Sequence, residues 1–313
     1  MLVTSFGISV KAGNKHVSLD DLFKLMEIDN GKEDKSKEIV RRFYVDTTSD
    51  PKFILGLVVT VKDQRRFLEL VANSANFKIR VNNLRGANKL MEFNFFVINK
   101  ENGLGVYQYY HGSCSPQTFG SYLVTRYRAL SNLSRDGAIA ELHKQNKHTA
   151  KAEKSIKSTH RFGLDFSLLV RPEDIKTILS NYKEIKSFSY EFLSLEAAIS
   201  FGSPLKGLAK KITEKVIFDP QIQKNRIAQG IDSMMSTIKA NTARVQVIDD
   251  EDQPLSIKLL KIPDNFGEQD FDILAEELDE LDVTVFKDHD LLVKLRAVCT
   301  ADFPHIFMAK VKP

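Results

Sequence analysis

The sequence of 313 residues predicts an α+β fold, with an N-terminal domain of mixed sheet and helices followed by a second α+β domain. Segments rich in β-branched and aromatic residues, typical of strands, alternate with segments whose apolar residues recur every three or four positions, typical of helices. Gly, Pro and Asn-Gly turn signals separate these segments. The length suits one large or two modest domains.

The first elements follow from short patterns. Residues 3–10 alternate between apolar and polar side chains and predict a strand. A short helix follows, with Ser18 as its N-cap and Asp21 in the position that completes a capping box. Residues 38–46 and 53–62 are rich in β-branched and aromatic side chains, and the polar turn between them predicts a hairpin.

The next elements continue this pattern. Asp63 is a candidate cap for a helix, because Phe67, Leu68 and Val71 follow at helical spacing. Residues 92–99 and 104–110 flank an Asn-Gly pair, which supplies the positive φ angles of a tight hairpin turn. A helix then begins near Pro116. Its predicted N-cap is Ser115, and Phe119, Tyr122, Leu123 and Tyr127 form its predicted buried stripe.

A basic, polar stretch separates the two halves of the chain. Between Leu142 and Ile156 there is almost no apolar residue, so this stretch cannot bury a face against a core. We therefore predict an N-terminal α+β domain at 1–142, a basic linker or exposed helix at 143–160, and a C-terminal α+β domain at 161–313.

The C-terminal domain is predicted from the same signals. The basic segment 205–216 places its apolar residues at helical spacing with lysines on the outer side. The predicted elements are strands at 162–170, 188–195, 243–248 and 255–260, and helices opening at Arg171–Pro172 and spanning 205–216, 221–240 and 269–280.

The charge of the chain is strongly segregated. The net charge is +4, but residues 249–290 contain fifteen acids against three lysines and so carry −12. The rest of the chain must therefore carry +16. A surplus of that size favours a polyanionic partner such as nucleic acid. The acidic segment could act as a DNA mimic that covers the basic surface.

Three stretches concentrate the positive charge: 126–161, with nine cations against three acids, 205–215, and 78–89. Lysine and arginine in such stretches contact phosphates. The predicted DNA-binding residues, all from the first two stretches, are Arg126, Arg128, Arg135, Lys144, Lys147, Lys151, Lys154, Lys157, Lys206, Lys210, Lys211 and Lys215.

Catalytic and metal-binding patterns are weak. Cys114 and Cys299 are too few for a disulfide framework or a four-cysteine zinc site. His143 and His148 are five apart, which does not place them together on a helix as a zinc pair. A nucleophile made of His111 and Cys114 lacks an identifiable orienting group. We predict no catalytic residue, no metal site and no cofactor, and therefore no enzyme.

Membrane and export signals are not recognised. No stretch approaches the length of apolar sequence that a transmembrane helix needs. The N-terminus MLVTSFGISV lacks the basic head, apolar core and cleavage site of a signal peptide. These observations predict a cytoplasmic protein with no direct membrane insertion.

Several segments follow one another in a recognisable order. The opening strand and helix read SFGISV and VSLDDLFKLM, KDQRRFLELV comes later, and the hairpin FNFFVINKENGLGVYQYYHGSCSP precedes a helix at QTFGSYL. In the second half stands LKGLAKKITEKVIFDP. In this layout, which covers about half of the chain, the sequence resembles the RexA-like family, the DNA-binding sensors of lambda-type Rex phage exclusion. The acidic segment after Asp249 has no counterpart in the family.

The resemblance implies a non-enzymatic protein that binds double-stranded DNA with little sequence preference. It further implies a homodimer formed through the C-terminal domain and a role in anti-phage defence, by exclusion or abortive infection. A membrane protein is the candidate effector partner of such a sensor. KwaB-like DNA-binding defence proteins share this general profile. Two alternatives stay open: a metal-dependent nuclease whose acids meet only in the fold, and a protein–protein adaptor with no nucleic-acid role.

Overall fold

The computed structural model describes most of the chain, and the structural statements below concern the described residues. These are residues 1–36, 39–62, 66–73, 76–83, 90–146, 148–161, 163–170, 175–180, 182–192, 212–237, 242–248, 254–259, 265–279 and 281–308. The strands are β1 (Leu2–Ala12), β2 (Glu33–Ser36), β3 (Ile39–Asp46), β4 (Phe53–Lys62), β5 (Arg66–Asn73), β6 (Asn76–Asn83), β7 (Leu90–Asn99), β8 (Leu104–Tyr109), β9 (Leu164–Val170), β10 (Glu184–Phe192), β11 (Ile212–Ile217), β12 (Thr242–Ile248), β13 (Pro254–Leu259) and β14 (Glu268–Asp270).

Helices occupy both faces of the sheet that these strands form. They are α1 (Leu19–Ile28), α2 (Pro116–Lys144), α3 (Ala150–Thr159), α4 (Ile175–Ser180), α5 (Lys224–Thr237), α6 (Phe271–Glu277), α7 (Asp290–Ala297) and α8 (Pro304–Phe307). A 3₁₀ turn at Phe286–Asp288 and a π turn at Val298–Asp302 flank α7. Within the described part of the chain, no helix is both long and apolar enough to cross a bilayer.

Twelve strands form one mixed sheet. Their order is β11-β10-β12-β13-β9-β1-β8-β7-β4-β3-β2, and β14 pairs with the beginning of β1. The pair β9–β13 is parallel, whereas β1 is antiparallel to both β8 and β9. Strands β5 and β6 form a separate two-stranded hairpin. The predicted α+β class is confirmed.

Strand β1 joins the two halves of the chain. One edge of β1 pairs with β8 of the N-terminal half, and the other pairs with β9, which follows the basic stretch. Strands from both sides of residues 143–160 therefore belong to one hydrogen-bonded sheet. The division into two domains stays a prediction, and 143–160 itself contains the end of α2 and the whole of α3.

Apolar side chains cover both faces of this sheet. On the first face, α1, α2, α4 and α5 pack against alternate strand residues, with the helix side chains Leu22, Phe23, Phe119, Leu123, Tyr127, Ile175, Leu179, Ile227 and Ile231 buried in one cluster. On the second face the C-terminal segment packs through Leu274, Phe286, Leu291, Leu292, Leu295, Ile306 and Phe307. Strand β4 contributes Ile54 and Val58 to the first cluster and Leu55 and Leu57 to the second, so it is buried on both faces.

The predicted hairpin turn and the predicted start of the following helix, both in the N-terminal half, are confirmed. The Lys100–Gly103 turn joins β7 to β8, and Gly103 has a φ of 69°, in the left-handed region that favours glycine. Ser115 caps α2, its hydroxyl accepting a hydrogen bond from the Thr118 N–H at 3.2 Å, and Pro116 occupies the first turn. These positions depend on neighbours in sequence, which is why the pattern located them.

Two predicted helices are wrong. The segment after Asp63 forms strand β5, because it pairs along its length with β6. The segment predicted as a basic helix at 205–216 ends in strand β11, which pairs with β10, while residues 205–211 lie outside the described residues. The sequence ITEKVI of β11 is rich in β-branched residues, which pack well on a pleated surface.

The cap of α1 provides a measurable prediction. The Ser18 hydroxyl accepts a hydrogen bond from the Asp21 N–H at 3.0 Å, and the Asp21 carboxylate accepts bonds from the Ser18 N–H at 2.8 Å and hydroxyl at 2.7 Å. These hydrogen bonds from Ser18 hold the pKa of Asp21 below its ordinary value. Because the pKa of Asp21 is lower in the folded protein than in the unfolded chain, its ionised carboxylate stabilises the fold at pH values above the unfolded-state pKa. This stabilisation is lost as the pH falls through the folded-state pKa.

Ser18→Ala should lower the free energy of unfolding by about 1 kcal/mol at neutral pH. The loss should begin to shrink below about pH 4, the ordinary pKa range of an aspartate in the unfolded chain, and shrink further as the pH falls through the lowered folded-state pKa of Asp21. Urea unfolding followed by circular dichroism at both pH values measures the effect. Ser155→Ala, at an exposed position of α3, is the control and should change stability by less than about 0.5 kcal/mol. Equal losses for the two variants at neutral pH would contradict the cap assignment.

Candidate nucleic-acid interface

Helix α2 extends well beyond the core. Its 29 residues span about 43 Å, but its buried residues end at Ser131. The first half is fixed by rings: Phe119 lies 4.8 Å from Phe96 and 4.9 Å from Tyr107 between ring centroids. The Tyr127 hydroxyl donates to the Val17 carbonyl at 2.7 Å. The second half therefore leaves the body of the protein as an anchored extension.

Helix α3 returns alongside the second half of α2. We call residues 132–160, which hold both helical segments, the basic arm. The Thr149 hydroxyl caps α3 by accepting a bond from the Ala152 N–H at 3.1 Å, and no residue of α3 is buried. The arm confirms the prediction that this stretch buries no face against the core.

Two stacked histidine pairs hold the ends of α3. At the turn of the arm the His143 and His148 rings stack with centroids 3.8 Å apart, and His148 Nε2 lies 3.0 Å from Glu153 Oε2. At the base, His160 stacks on His16 at 4.6 Å. Because His16 precedes α1, the second pair ties α3 to the body of the protein. Neither pair has the geometry of a shared metal site. The rings of each pair are nearly parallel, so the nitrogen lone pairs, which lie in the ring planes, do not converge on one metal ion.

His160→Ala should loosen α3 without unfolding the protein. The substitution removes the stack with His16 and the contact of His160 Nε2 with the Ser134 hydroxyl at 3.4 Å. We expect faster amide hydrogen exchange across α3 and an unchanged midpoint of thermal unfolding, since α3 buries no core residue. Mass-spectrometric hydrogen exchange measures this. The control is His111→Ala at an exposed loop position, and equal exchange in both variants would contradict the tethering role.

Four of the predicted cations have acidic partners. Arg126 pairs with Asp29 at the end of α1 and lies over the Tyr122 ring, so it fastens α2 to the body. The other three pair within the arm: Arg135 Nε lies 2.9 Å from Asp136, Lys144 Nζ 4.0 Å from Glu141, and Lys157 Nζ 2.5 Å from Glu153. Hydrogen bonds from Lys157 and His148 hold the pKa of Glu153 below its usual range. These partners neutralise part of the positive charge.

Four predicted cations are exposed without such partners among the described residues: Lys215 on β11 and three on α2 and α3. Arg128 on α2, and Lys151 and Lys154 on α3, make no ion pair or hydrogen bond within the described residues. Lys151 and Lys154 follow each other by three positions and so lie on neighbouring turns of one helix side. These side chains can bind a phosphate by giving up only hydration water, because they have no protein partner to release in the described part of the chain.

Only the end of the second predicted basic stretch, residues 212–215, is described. Lys215 is exposed on β11, the edge strand of the sheet. Val216 beside it shares a cavity with Phe188 of the first-face core, so alternation places Lys215 on the second face. Lys147, Lys206, Lys210 and Lys211 lie outside the described residues. The hairpin β5–β6 carries Lys78 and Arg80 at alternate positions of β6.

The described part of the acidic segment after Asn265 packs on the second face through Phe266, Leu274 and Phe286. Its acids pair locally, for example Glu277 with Lys294 at 2.7 Å and Asp270 with the N-terminal amine at 3.7 Å. Lys287 of this segment lies 3.5 Å from Asp46 at the end of β3, and Arg296, which follows the segment, lies 3.0 Å from Asp50 in the β3–β4 turn. Among the described residues no acid of this segment pairs with a cation of the arm, and the acids at 249–252, 264 and 280 lie outside the described residues, so the DNA-mimic hypothesis stays a prediction.

The candidate catalytic residues are not assembled. Cys114 is fully buried, and its N–H donates to Asn94 Oδ1 at 3.0 Å, whereas His111 is exposed. Burial raises the pKa of the Cys299 thiol to about 12, which keeps it protonated and unreactive at neutral pH. Within the described ranges no three His, Cys, Asp or Glu side chains cluster as metal ligands.

Sequence reasoning missed the residues that orient the arm. Asp29, Tyr122 and His16 fix its base, yet Arg126 and Asp29 are 97 positions apart. No local pattern signals such contacts. The fold and the candidate site together define an α+β protein with an anchored, exposed basic arm. No protein-family model matches the chain, and no curated protein matches it.

Proposed function

We propose that this protein binds double-stranded DNA through its phosphates, without sequence preference, as a non-enzymatic sensor in anti-phage defence. The observation that carries the proposal is the basic arm, which leaves the core after Ser131 and exposes Lys151 and Lys154, two cations that have no acidic partner in the described part of the chain. Lys151 and Lys154 on α3, with Arg128 at the base, form the proposed contact surface.

The chemistry of these side chains suits backbone recognition. Lysine presents a compact charge on a flexible stem and contacts phosphate oxygens wherever they lie, so it carries no base information. Neutralised phosphates release counterions, which makes such binding strongly dependent on salt. The described acids of the C-terminal segment that pair locally, such as Glu277 with Lys294, belong to the segment packed on the second face of the sheet.

The wider role is proposed from the family resemblance. A RexA-like sensor would act in the cytoplasm as a homodimer formed through the C-terminal half, and it would signal to a membrane-protein effector. The remaining predicted cations, at Lys206, Lys210 and Lys211, would add phosphate contacts outside the arm. Exclusion or abortive infection would be the outcome of that signal.

Fluorescence anisotropy with labelled duplexes of unrelated sequence tests the proposal. We expect similar affinities for all duplexes and a log–log salt slope of about −0.9 for each neutralised phosphate. Affinity that is insensitive to salt, or the lack of any binding at low salt, would contradict it and favour an adaptor without a nucleic-acid role. Incubating plasmid with the protein and Mg²⁺ or Mn²⁺ tests the nuclease alternative, and we expect intact plasmid.

A further inference from the structure

Strand β11 is the last strand of the large sheet and has an open edge. It pairs with β10 on one side, and no described strand pairs with it on the other. The Phe218 N–H donates to the Lys186 carbonyl at 3.0 Å, which extends the pairing of the two strands by one residue. Hydrogen-bonded pairs alternate along an antiparallel ladder, so every second residue of β11 bonds to β10. The residues whose N–H and C=O groups point to the open edge are therefore Thr213, Lys215 and Ile217.

An apolar groove of about 280 Å³ lies beside this edge, on the first face of the sheet. The strands line it with Phe188 and Val216, and α5 lines it with Met234. Ile222, which precedes α5, also belongs to the lining. Ile222 is 45% exposed and Val216 is 38% exposed, so the groove is open to solvent. Apolar side chains that enter it would gain the free energy of leaving water.

The edge and the groove together suit one kind of ligand, which is an extended chain. A strand added beside β11 would form hydrogen bonds with the three outward-pointing residues. Its side chains would alternate between the two faces of the sheet, so every second one would lie at the groove. In this mode of recognition the backbone hydrogen bonds supply affinity, and pockets for alternate side chains supply specificity.

The charges beside the edge favour an acidic ligand. Lys215 is exposed on the second face and makes no ion pair among the described residues. Arg226, the charged residue of the groove lining, is also exposed and unpaired in the described part of the chain. The acid of β11, Glu214, accepts a hydrogen bond from the Tyr190 hydroxyl. Opposite charges on neighbouring strands stabilise the pairing, and like charges destabilise it.

We propose that the open edge of β11 and the adjoining groove bind an extended segment of a partner protein, in which apolar side chains alternate with acidic ones. The apolar side chains would fill the groove on the first face, and the acidic ones would lie beside Lys215 on the second. A second copy of this chain fits less well. The two-fold antiparallel register that engages all three outward-pointing residues places the two copies of Lys215 opposite each other.

Isothermal titration of the full chain with synthetic peptides tests the docking. The probe is an eight-residue peptide that alternates valine with glutamate and is blocked at both ends. We expect one site per chain, and binding at least about tenfold weaker for two comparison peptides, one alternating valine with lysine and the other serine with glutamate. Equal binding of the two acidic peptides would mean attraction to surface charge alone and would overturn the groove. The lack of saturable binding of the valine–glutamate peptide at millimolar concentration would overturn the proposal.

Variants at the edge and in the groove localise the contact. Lys215→Pro removes an outward N–H and keeps the bonds to β10, since proline is tolerated where the N–H faces away from the sheet. It should bind the probe at least about tenfold more weakly than Lys215→Gln, which keeps this N–H. Gly230→Phe should fill the groove, because nothing lies within 4 Å of an added Cβ at this lining position, whereas Gly230→Ala should bind like the wild type. Wild-type affinity in both Lys215→Pro and Gly230→Phe, with unchanged circular dichroism, would overturn the assignment.

Two further measurements separate this contact from its alternatives, because the proposal goes beyond the proposed function and does not require it. Gly230→Phe should keep the wild-type affinity for duplex DNA, and replacing Lys151 and Lys154 with glutamine should leave peptide binding intact. Loss of peptide binding in that arm variant would place the contact on the arm and overturn the proposal. In analytical ultracentrifugation Lys215→Pro should keep the oligomeric state of the wild type. A shift to a smaller species would mean that a second copy occupies the edge, which would also overturn the proposal.

Discussion

Replacing Lys151 and Lys154 together with glutamine should lower the affinity for duplex DNA about tenfold at low salt and make the salt slope shallower by about 1.8. Both side chains are exposed on α3 without partners in the described structure, so each can neutralise a phosphate. Since neither takes part in the core, the free energy of unfolding should change little. Anisotropy titrations over a series of salt concentrations measure both quantities.

A double variant of equal charge provides the control. Lys35→Gln with Lys294→Gln removes two exposed lysines from the edge strand β2 and from the acidic face. Its net charge equals that of the arm variant, so a purely global effect of charge would weaken both equally. We expect the control to keep most of the wild-type slope. Identical slopes for the two variants would remove the arm as the contact surface.

Phe119→Ala should destabilise the protein by about 3–5 kcal/mol, the cost of truncating a fully buried aromatic ring. The Phe119 ring lies against Phe96, Tyr107 and Phe166, with centroid distances of 4.8, 4.9 and 6.0 Å. Its loss would leave a cavity between α2 and the sheet. Urea unfolding gives the change in free energy from the shift of the midpoint at constant slope.

Two further variants keep this prediction testable. Phe119→Leu retains most of the volume and should cost about 1–2 kcal/mol, so it remains measurable if the alanine variant does not fold. Leu133→Ala removes an apolar side chain that is 68% exposed on the same helix, and it should change stability by less than about 0.5 kcal/mol. A loss for Leu133→Ala as large as that for Phe119→Ala would mean that the arm is packed in solution.

The elements that the sequence predicted correctly are those that neighbouring residues determine. The capping box of Ser18 and Asp21, the Asn-Gly turn and the start of α2 at Pro116 all depend on contacts within about four positions. Hydrogen bonds of this local kind leave a direct pattern of residue types.

The errors have a common physical cause, which is pairing between distant segments. The β5 segment offers apolar residues at spacings that fit either a helix or a strand, and its pairing with β6 decides the outcome. The same holds for β11, whose single lysine, Lys215, continues the helical spacing of Lys211 but whose backbone pairs with β10. The parallel pairing of β9 with β13 joins residues about ninety positions apart, which no local signal reveals.

The candidate site was predicted in its composition but not in its geometry. The lack of apolar residues after Leu142 correctly indicated an exposed stretch, since a face without apolar atoms gains nothing from burial. Which cations remain available depends on partners elsewhere, as the contact of Arg126 with Asp29 shows. Arg126, one of the twelve predicted residues, fastens α2 to the body through Asp29.

Helix α3 projects two exposed ammonium groups, Lys151 and Lys154, that have no partner in the described part of the chain, and it does so away from the Glu277–Lys294 pair of the second face. If the partner is a duplex, as we propose, such a local concentration of positive charge would turn the arm toward the polyanion before any contact forms. Fewer collisions are then wasted in unproductive orientations, so the association rate rises at low ionic strength. At physiological salt the Debye length is about 8 Å, and this rotational guidance acts only in the last moments of approach.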